Sequence, residues 1–167
     1  AFARMGSVGL TIDDNSPLAP LMQAALYYRL GDERLAFDAY LANDRTLDDP
    51  EIVAVDNGGK LLLRIINGSA ATVFWIDTGE LLGRAVATDG NPIQPVAGNR
   101  FGLVMGQRLD IELDLPTDGG AFPVLALREG AVERTGIILA SKGAAVGRIA
   151  GVSNAAHPAF SGDLEQE

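Results

Sequence analysis

The clearest pattern in the chain lies at Gln107–Leu115. There Leu109, Ile111, Leu113 and Leu115 alternate with Arg108, Asp110, Glu112 and Asp114. A repeat of two with one apolar and one charged side describes a strand with one face in a core and the other in water. Shorter runs of the same kind predict further strands at Glu51–Val55, Thr72–Asp77, Arg84–Thr88, Asn99–Val104, Ala121–Leu127 and Arg134–Ala140. Lys60–Asn67 is different, being apolar on both sides except at Arg64, and reads as a strand covered on both faces. Turn chemistry separates the runs: Asp56-Asn57-Gly58-Gly59, Asp89-Gly90-Asn91-Pro92, Pro116 to Gly120, and Glu129-Gly130. Seven to nine short strands with regular turns predict a sandwich or barrel.

The two ends break this rhythm. Ser16 can cap a helix whose first residue is Pro17, and Leu18, Leu21, Met22, Ala25 and Leu26 then recur at helical spacing before Gly31. The spacing predicts one helix over about 17–30, followed by a short extended piece around Leu35–Tyr40 and a loop closing at Asp48-Asp49-Pro50. After Ser141 the alternation dissolves into Ala, Gly and Ser with an acidic end, which reads as a flexible linker or tail. The organisation expected is therefore a lead-in over 1–50, a β-barrel over 51–141 and a linker-like tail over 142–167.

Composition narrows the classes. With 167 residues, the chain suits one domain with a proper core. Twenty glycines and eight prolines match many turns. A formal net charge of −9 disfavours nucleic acid and anionic membrane as partners, because both are gripped by clustered Lys and Arg. No run reaches the ~20 apolar residues that span a bilayer. The first ten residues lack the layout of a signal peptide, and the chain begins without Met, as a processed or excised product would.

Candidate chemistry is sparse. No cysteine is present, and His157 is the single histidine, so the usual zinc and copper ligand sets cannot be assembled within the chain. His157 lies in the linker-like tail and reads as a solvated residue. Asp48, Asp49 and Glu51 form one carboxylate group and Asp110, Glu112 and Asp114 another; the second reads as a solvated sheet face rather than an acid–base pair. Asp13-Asp14-Asn15 lacks the ligand alternation of a calcium loop. Asp118-Gly119-Gly120 precedes a strand, not the helix that phosphate cradling requires. Asn67-Gly68-Ser69 fits the N-glycosylation pattern but reads as a strand-to-turn junction. Arg128, Arg134 and Arg148 read as isolated surface charges. No residue is assigned a catalytic, cofactor-binding or metal-binding role.

From about Phe37 to about Gly143 the chain resembles the middle domain of bacterial three-domain multicopper oxidases of the laccase-like and copper-efflux-oxidase type. The run Gly59-Lys60-Leu61-Leu62-Leu63-Arg64-Ile65-Ile66-Asn67-Gly68-Ser69-Ala70 is similar to a family signature in which Gly-Lys/Arg leads an apolar strand ending Arg-x-x-Asn-x-Ser/Ala. Asp89-Gly90-Asn91-Pro92 resembles its Asp-Gly-x-Pro turn, and Met105-Gly106-Gln107-Arg108-Leu109-Asp110-Ile111 its Gly-Gln/Glu-Arg-x-Asp/Glu strand. Glu129-Gly130 and Arg134-Thr135-Gly136 stand where the last hairpin belongs. Arg64 and Arg108 are expected to pair with Asp89 or Asp110, fixing register.

The resemblance implies an all-β, cupredoxin-like Greek-key barrel or sandwich with one N-terminal helix and a flexible C-terminal linker. It implies copper in the parent oxidase but not in this chain, because the family's His-x-His and His-Cys-His motifs are missing. It implies a non-catalytic structural domain whose partners are the flanking cupredoxin domains of the same polypeptide, with self-association through surfaces exposed by excision, and a periplasmic or secreted parent. A free-standing β-barrel binding module for a protein or small ligand is the alternative.

Overall fold

The computed structural model describes residues 2–4 and 39–160. The eleven strands are β1 (Phe2–Arg4), β2 (Ala39–Leu41), β3 (Ile52–Val55), β4 (Lys60–Ile66), β5 (Phe74–Asp77), β6 (Gly83–Thr88), β7 (Asn91–Gly98), β8 (Arg100–Leu103), β9 (Arg108–Asp114), β10 (Ala121–Arg128) and β11 (Arg134–Ser141). They form a five-stranded sheet in the order β3-β11-β10-β5-β8, a four-stranded sheet in the order β4-β9-β6-β7, and the small pair β1-β2. All neighbours are antiparallel except β3 and β11. The all-β expectation is met in this sandwich. The helix expected over about 17–30 lies outside the described residues.

The core fills the space between the two larger sheets. From the four-stranded sheet come Leu109, Ile111 and Leu113 of β9 with Ala85 of β6; from the five-stranded sheet come Phe74, Ile76, Phe101, Leu103, Val124 and Leu139. The alternation read in β9 is observed residue by residue: its Leu and Ile side chains are buried, while Arg108, Glu112 and Asp114 are exposed and Asp110 is half-buried. Tyr40 of β2 joins the core, its ring edge-on to Phe74 at 5.3 Å between centroids.

Three differences from the sequence reading are instructive. Asn91 and Pro92 read as the end of a turn and no element is expected over 93–98, yet Asn91–Gly98 forms β7. It is the edge of its sheet, paired only with β6, and an edge strand tolerates the amide that proline lacks. The turn at Asp89-Gly90 is real: both residues have positive φ (49° and 82°) and Thr88 pairs directly with Asn91, so the hairpin closes in two residues.

The second difference concerns β4, where Leu61, Leu63 and Ile65 pack on the core but Leu62 and Ile66 are 45% and 60% exposed. The expectation of two covered faces is not met among the described residues, where the outer side of β4 alternates Leu62 and Ile66 with Lys60 and Arg64.

The third is the segment after Ser141. Its described part, residues 142–160, carries no strand, but it is bonded to the sandwich. Arg134 N–H donates to Gly151 O at 2.8 Å, Ser153 N–H to Val132 O at 2.8 Å, and Glu133 bridges Val152. Backbone atoms make most of these bonds, so side-chain periodicity gives no sign of them.

Candidate functional site

Each residue considered as chemistry can now be placed. Asp110, Glu112 and Asp114 stand on the outer face of the four-stranded sheet, and each has a cation directly across the ladder. Lys60 is opposite Asp114, Arg64 opposite Asp110 and Arg84 opposite Glu112. The contacts are 3.6 Å for Lys60–Asp114, 3.4 Å for Arg64–Asp110, 3.2 Å for Arg84–Glu112 and 3.1 Å for Arg84–Asp114. The Arg84 guanidinium, hydrogen-bonded to Asp114, holds that carboxyl below its ordinary value, with Lys60 adding to the effect; the same bonds raise Arg84. These groups stand on the outer, solvent-facing side of the sheet. Opposite charges facing one another across a ladder set register and add little else. The arrangement lies on an open sheet face in which every carboxylate is matched by a cation, and it reads as structural.

The other carboxylate group is dispersed. Asp48 pairs with Arg148 at 2.8 Å, Asp49 with Arg45 at 2.7 Å, and Glu51 accepts a hydrogen bond from Asn43 Nδ2. Among the described residues no three His, Cys, Asp or Glu side chains converge on a point where a metal ion could sit. Asp13-Asp14-Asn15 lies outside the described residues.

The expected pairing of Arg64 with Asp110 is observed, but Arg108 meets Asp89 through its backbone: Arg108 N–H donates to Asp89 Oδ1 at 2.9 Å and Asp89 N–H returns a bond to Arg108 O at 3.0 Å. Three arginines read as isolated are not. Arg128 pairs with Glu133 at 3.2 Å and is half-buried, Arg134 Nε donates to Ala150 O at 2.8 Å, and Arg148 reaches Asp48.

Asn67, considered as a glycosylation acceptor, is 1% exposed. Its Nδ2 donates to Thr72 O at 2.9 Å and to Leu103 O at 3.1 Å, while its Oδ1 accepts from Ser69 N–H at 3.0 Å and Ser69 Oγ at 2.7 Å. Ser69 Oγ also donates to Thr72 O, and Thr72 Oγ1 shares a bond of 3.2 Å with the Tyr40 hydroxyl. The side-chain nitrogen is spent and enclosed, so no glycan can be attached to this fold. The residue instead ties the end of β4 to the entry of β5 and the exit of β8, one sheet to the other. The sequence marks the position only as a polar tripeptide after an apolar strand; its role depends on carbonyls 5 and 36 residues away.

His157 is not a solvated tail residue either. Its ring Nδ1 lies 2.9 Å from Arg128 O, its backbone N–H donates to Ala131 O at 2.8 Å, and Nε2 is enclosed without a hydrogen-bond partner. A carbonyl oxygen can only accept, so Nδ1 carries the proton in this arrangement. A single imidazole in a chain with no cysteine is too small a donor set for a copper site of the usual kind.

Comparison with known proteins gives these features a family. A family model described as "Multicopper oxidase" matches residues 19–143. Multicopper oxidase MmcO of Mycobacterium tuberculosis is 31% identical over 96 residues, a stretch covering 58% of this chain and 19% of that protein. The blue copper oxidase from Nitrosomonas europaea superposes with a TM-score of 0.56 at 19% identity, covering 64% of this chain and 35% of that one. Fet3p, a multicopper oxidase that functions in iron import, superposes with a TM-score of 0.61 at 14% identity over 92% of this chain and 29% of its own. The chain thus spans about a fifth of the curated relative it matches. With three quarters of its length inside the family match and a two-sheet sandwich of the cupredoxin kind, the chain belongs to the multicopper oxidase family.

Proposed function

We propose that this domain is the copper-free middle domain of a three-domain multicopper oxidase and acts as a scaffold. The observation that carries the reading is the contrast between family and donor set. The family's chemistry rests on copper, and this chain keeps the fold with one committed imidazole and no thiolate. The buried polar cluster of Asn67, Ser69 and Thr72 and the ion pairs across β4, β9 and β6 hold the sheets in register. The flanking cupredoxin domains of the same polypeptide are the natural cover for the apolar outer side of β4 at Leu62 and Ile66. The intact parent would couple oxidation of a reducing substrate to reduction of dioxygen, in the periplasm or outside the cell.

Reading the parent coding sequence outward from both ends tests this. His-x-His pairs upstream and a His-Cys-His motif downstream are the expected result. A reading frame holding neither motif would overturn the scaffold role. The isolated 167-residue chain should neither develop blue thiolate–copper absorption with added copper nor oxidise a phenol.

A further inference from the structure

We propose that Trp75, Gly102 and Glu129 form a receptor for a peptide segment bearing an aromatic residue, a seat taken in this chain by its own residues His157–Phe160. Trp75 and Gly102 are direct cross-strand partners on β5 and β8, with Trp75 pointing to the outer side of the five-stranded sheet. The Phe160 ring packs on the indole with centroids 4.2 Å apart and planes at 67°. Gly102 makes room for it: a Cβ at that position would stand 2.7 Å from the Phe160 ring, with all three of its nearest atoms in that ring. Glycine inside a strand forfeits side-chain packing and backbone entropy, and here the missing methyl is the seat.

The polar contacts are as directed as the ring contact. Trp75 Nε1–H donates to Pro158 O at 2.8 Å, Phe160 N–H donates to Glu129 Oε1 at 2.7 Å, His157 N–H donates to Ala131 O at 2.8 Å, and His157 Nδ1 meets Arg128 O at 2.9 Å. Four hydrogen bonds therefore hold four residues, one of them charge-assisted through the Glu129 carboxylate. Pro158 has no N–H to satisfy, which suits a segment whose carbonyl alone is used. The ligand class follows: a His-Pro-Xaa-aromatic segment, recognised through its backbone and its aromatic ring. This inference rests on the geometry of the five-stranded sheet and does not depend on the scaffold role.

In cis the seat faces its own ligand at an effective concentration on the order of millimolar, so a peptide in trans competes only when the internal anchor is weakened. Trp75 is the single tryptophan and reports on the seat by fluorescence. In the full 167-residue chain, Phe160→Ala empties the seat and Gly102→Ala blocks it without altering the segment. Both variants should move the Trp75 emission to longer wavelength and make it easier to quench with acrylamide. An octapeptide with the sequence of residues 153–160 should restore the wild-type emission of Phe160→Ala saturably. The same peptide with its last residue changed to Ala should not, and Gly102→Ala should not respond to either. Wild-type emission in both variants would overturn the proposal, as would an octapeptide response that is absent in Phe160→Ala or equal in Gly102→Ala.

Discussion

The two large sheets treat their outer faces in opposite ways. On the four-stranded sheet the outer face is wet, and its charges answer one another across β4, β9 and β6. On the five-stranded sheet the residues that alternate away from the core, Leu127 of β10 with Ile138 and Ala140 of β11, are nonetheless buried and stand apart from the main core cluster. On that side the described segment 151–160 is bonded to Arg134, Val132 and Ala131 and seats Phe160 on Trp75. One face is thus finished by electrostatic pairing and the other by a strap of irregular chain. Apolar area, not charge, supplies most folding free energy, so the strapped face should matter more to stability although it has less regular structure on it.

That comparison can be broken by substitution. The largest effect is expected at Ile138, 1% exposed on the strapped face. Ile138→Ala should cost about 2–4 kcal/mol in urea unfolding, the range for a filled site that collapses only in part. Leu62→Ala, the matching change on the wet face, should fall within about 0.5 kcal/mol. Equal losses would mean that the faces do not differ as described. Next comes Asn67→Ala, which leaves Ser69 and the Thr72 and Leu103 carbonyls short of partners between the sheets. It should cost about 1–3 kcal/mol, with rescue by neither Ser nor Asp, since Asp cannot donate to the two carbonyls.

The smallest effect sharpens the picture of the wet face. Asp114 has its carboxyl lowered in the folded state by Arg84, so the unfolded chain binds the proton more readily. Its contribution to stability is present above the unfolded value and is lost as pH falls through the lower, folded one. Asp114→Asn should therefore lower the melting temperature slightly at neutral pH and leave the acid value nearly unchanged, so that the acid limb flattens. High salt should do the same to the wild type, because the groups are exposed and screened. A steep acid limb that survives in Asp114→Asn would assign the effect to other carboxylates.

How much could be read beforehand follows from what each element answers to. Strand β9 was legible because water on one side and core on the other impose an alternation on its own residues. The Asp89-Gly90 hairpin was legible because positive φ at both positions restricts which residues can stand there. Strand β7 was hidden by Pro92 and Pro95, whose cost depends on whether the strand has one neighbour or two. The outer side of β4 looked like a buried face, since an apolar pattern records that a surface is to be covered but not whether the cover belongs to the same domain. His157 and Arg128, read as solvated tail and isolated charge, are joined through a backbone carbonyl. Any residue provides a carbonyl, so composition could not show it.

The sequence by itself determined the all-β class, most strand and turn positions from Glu51 to Ala140 though not β7, the family resemblance and a donor set of one histidine and no cysteine, because these depend on local periodicity, backbone sterics and which atoms are present. Only the tertiary structure decided that Asn67 joins two sheets, that the carboxylates of β9 are each matched by a cation, and that residues 148–160 lie on the sandwich with Phe160 seated over Gly102. Those features are made by atoms far apart in the chain, many of them backbone atoms common to every residue, and their meeting is fixed by register and packing rather than by any run of side chains.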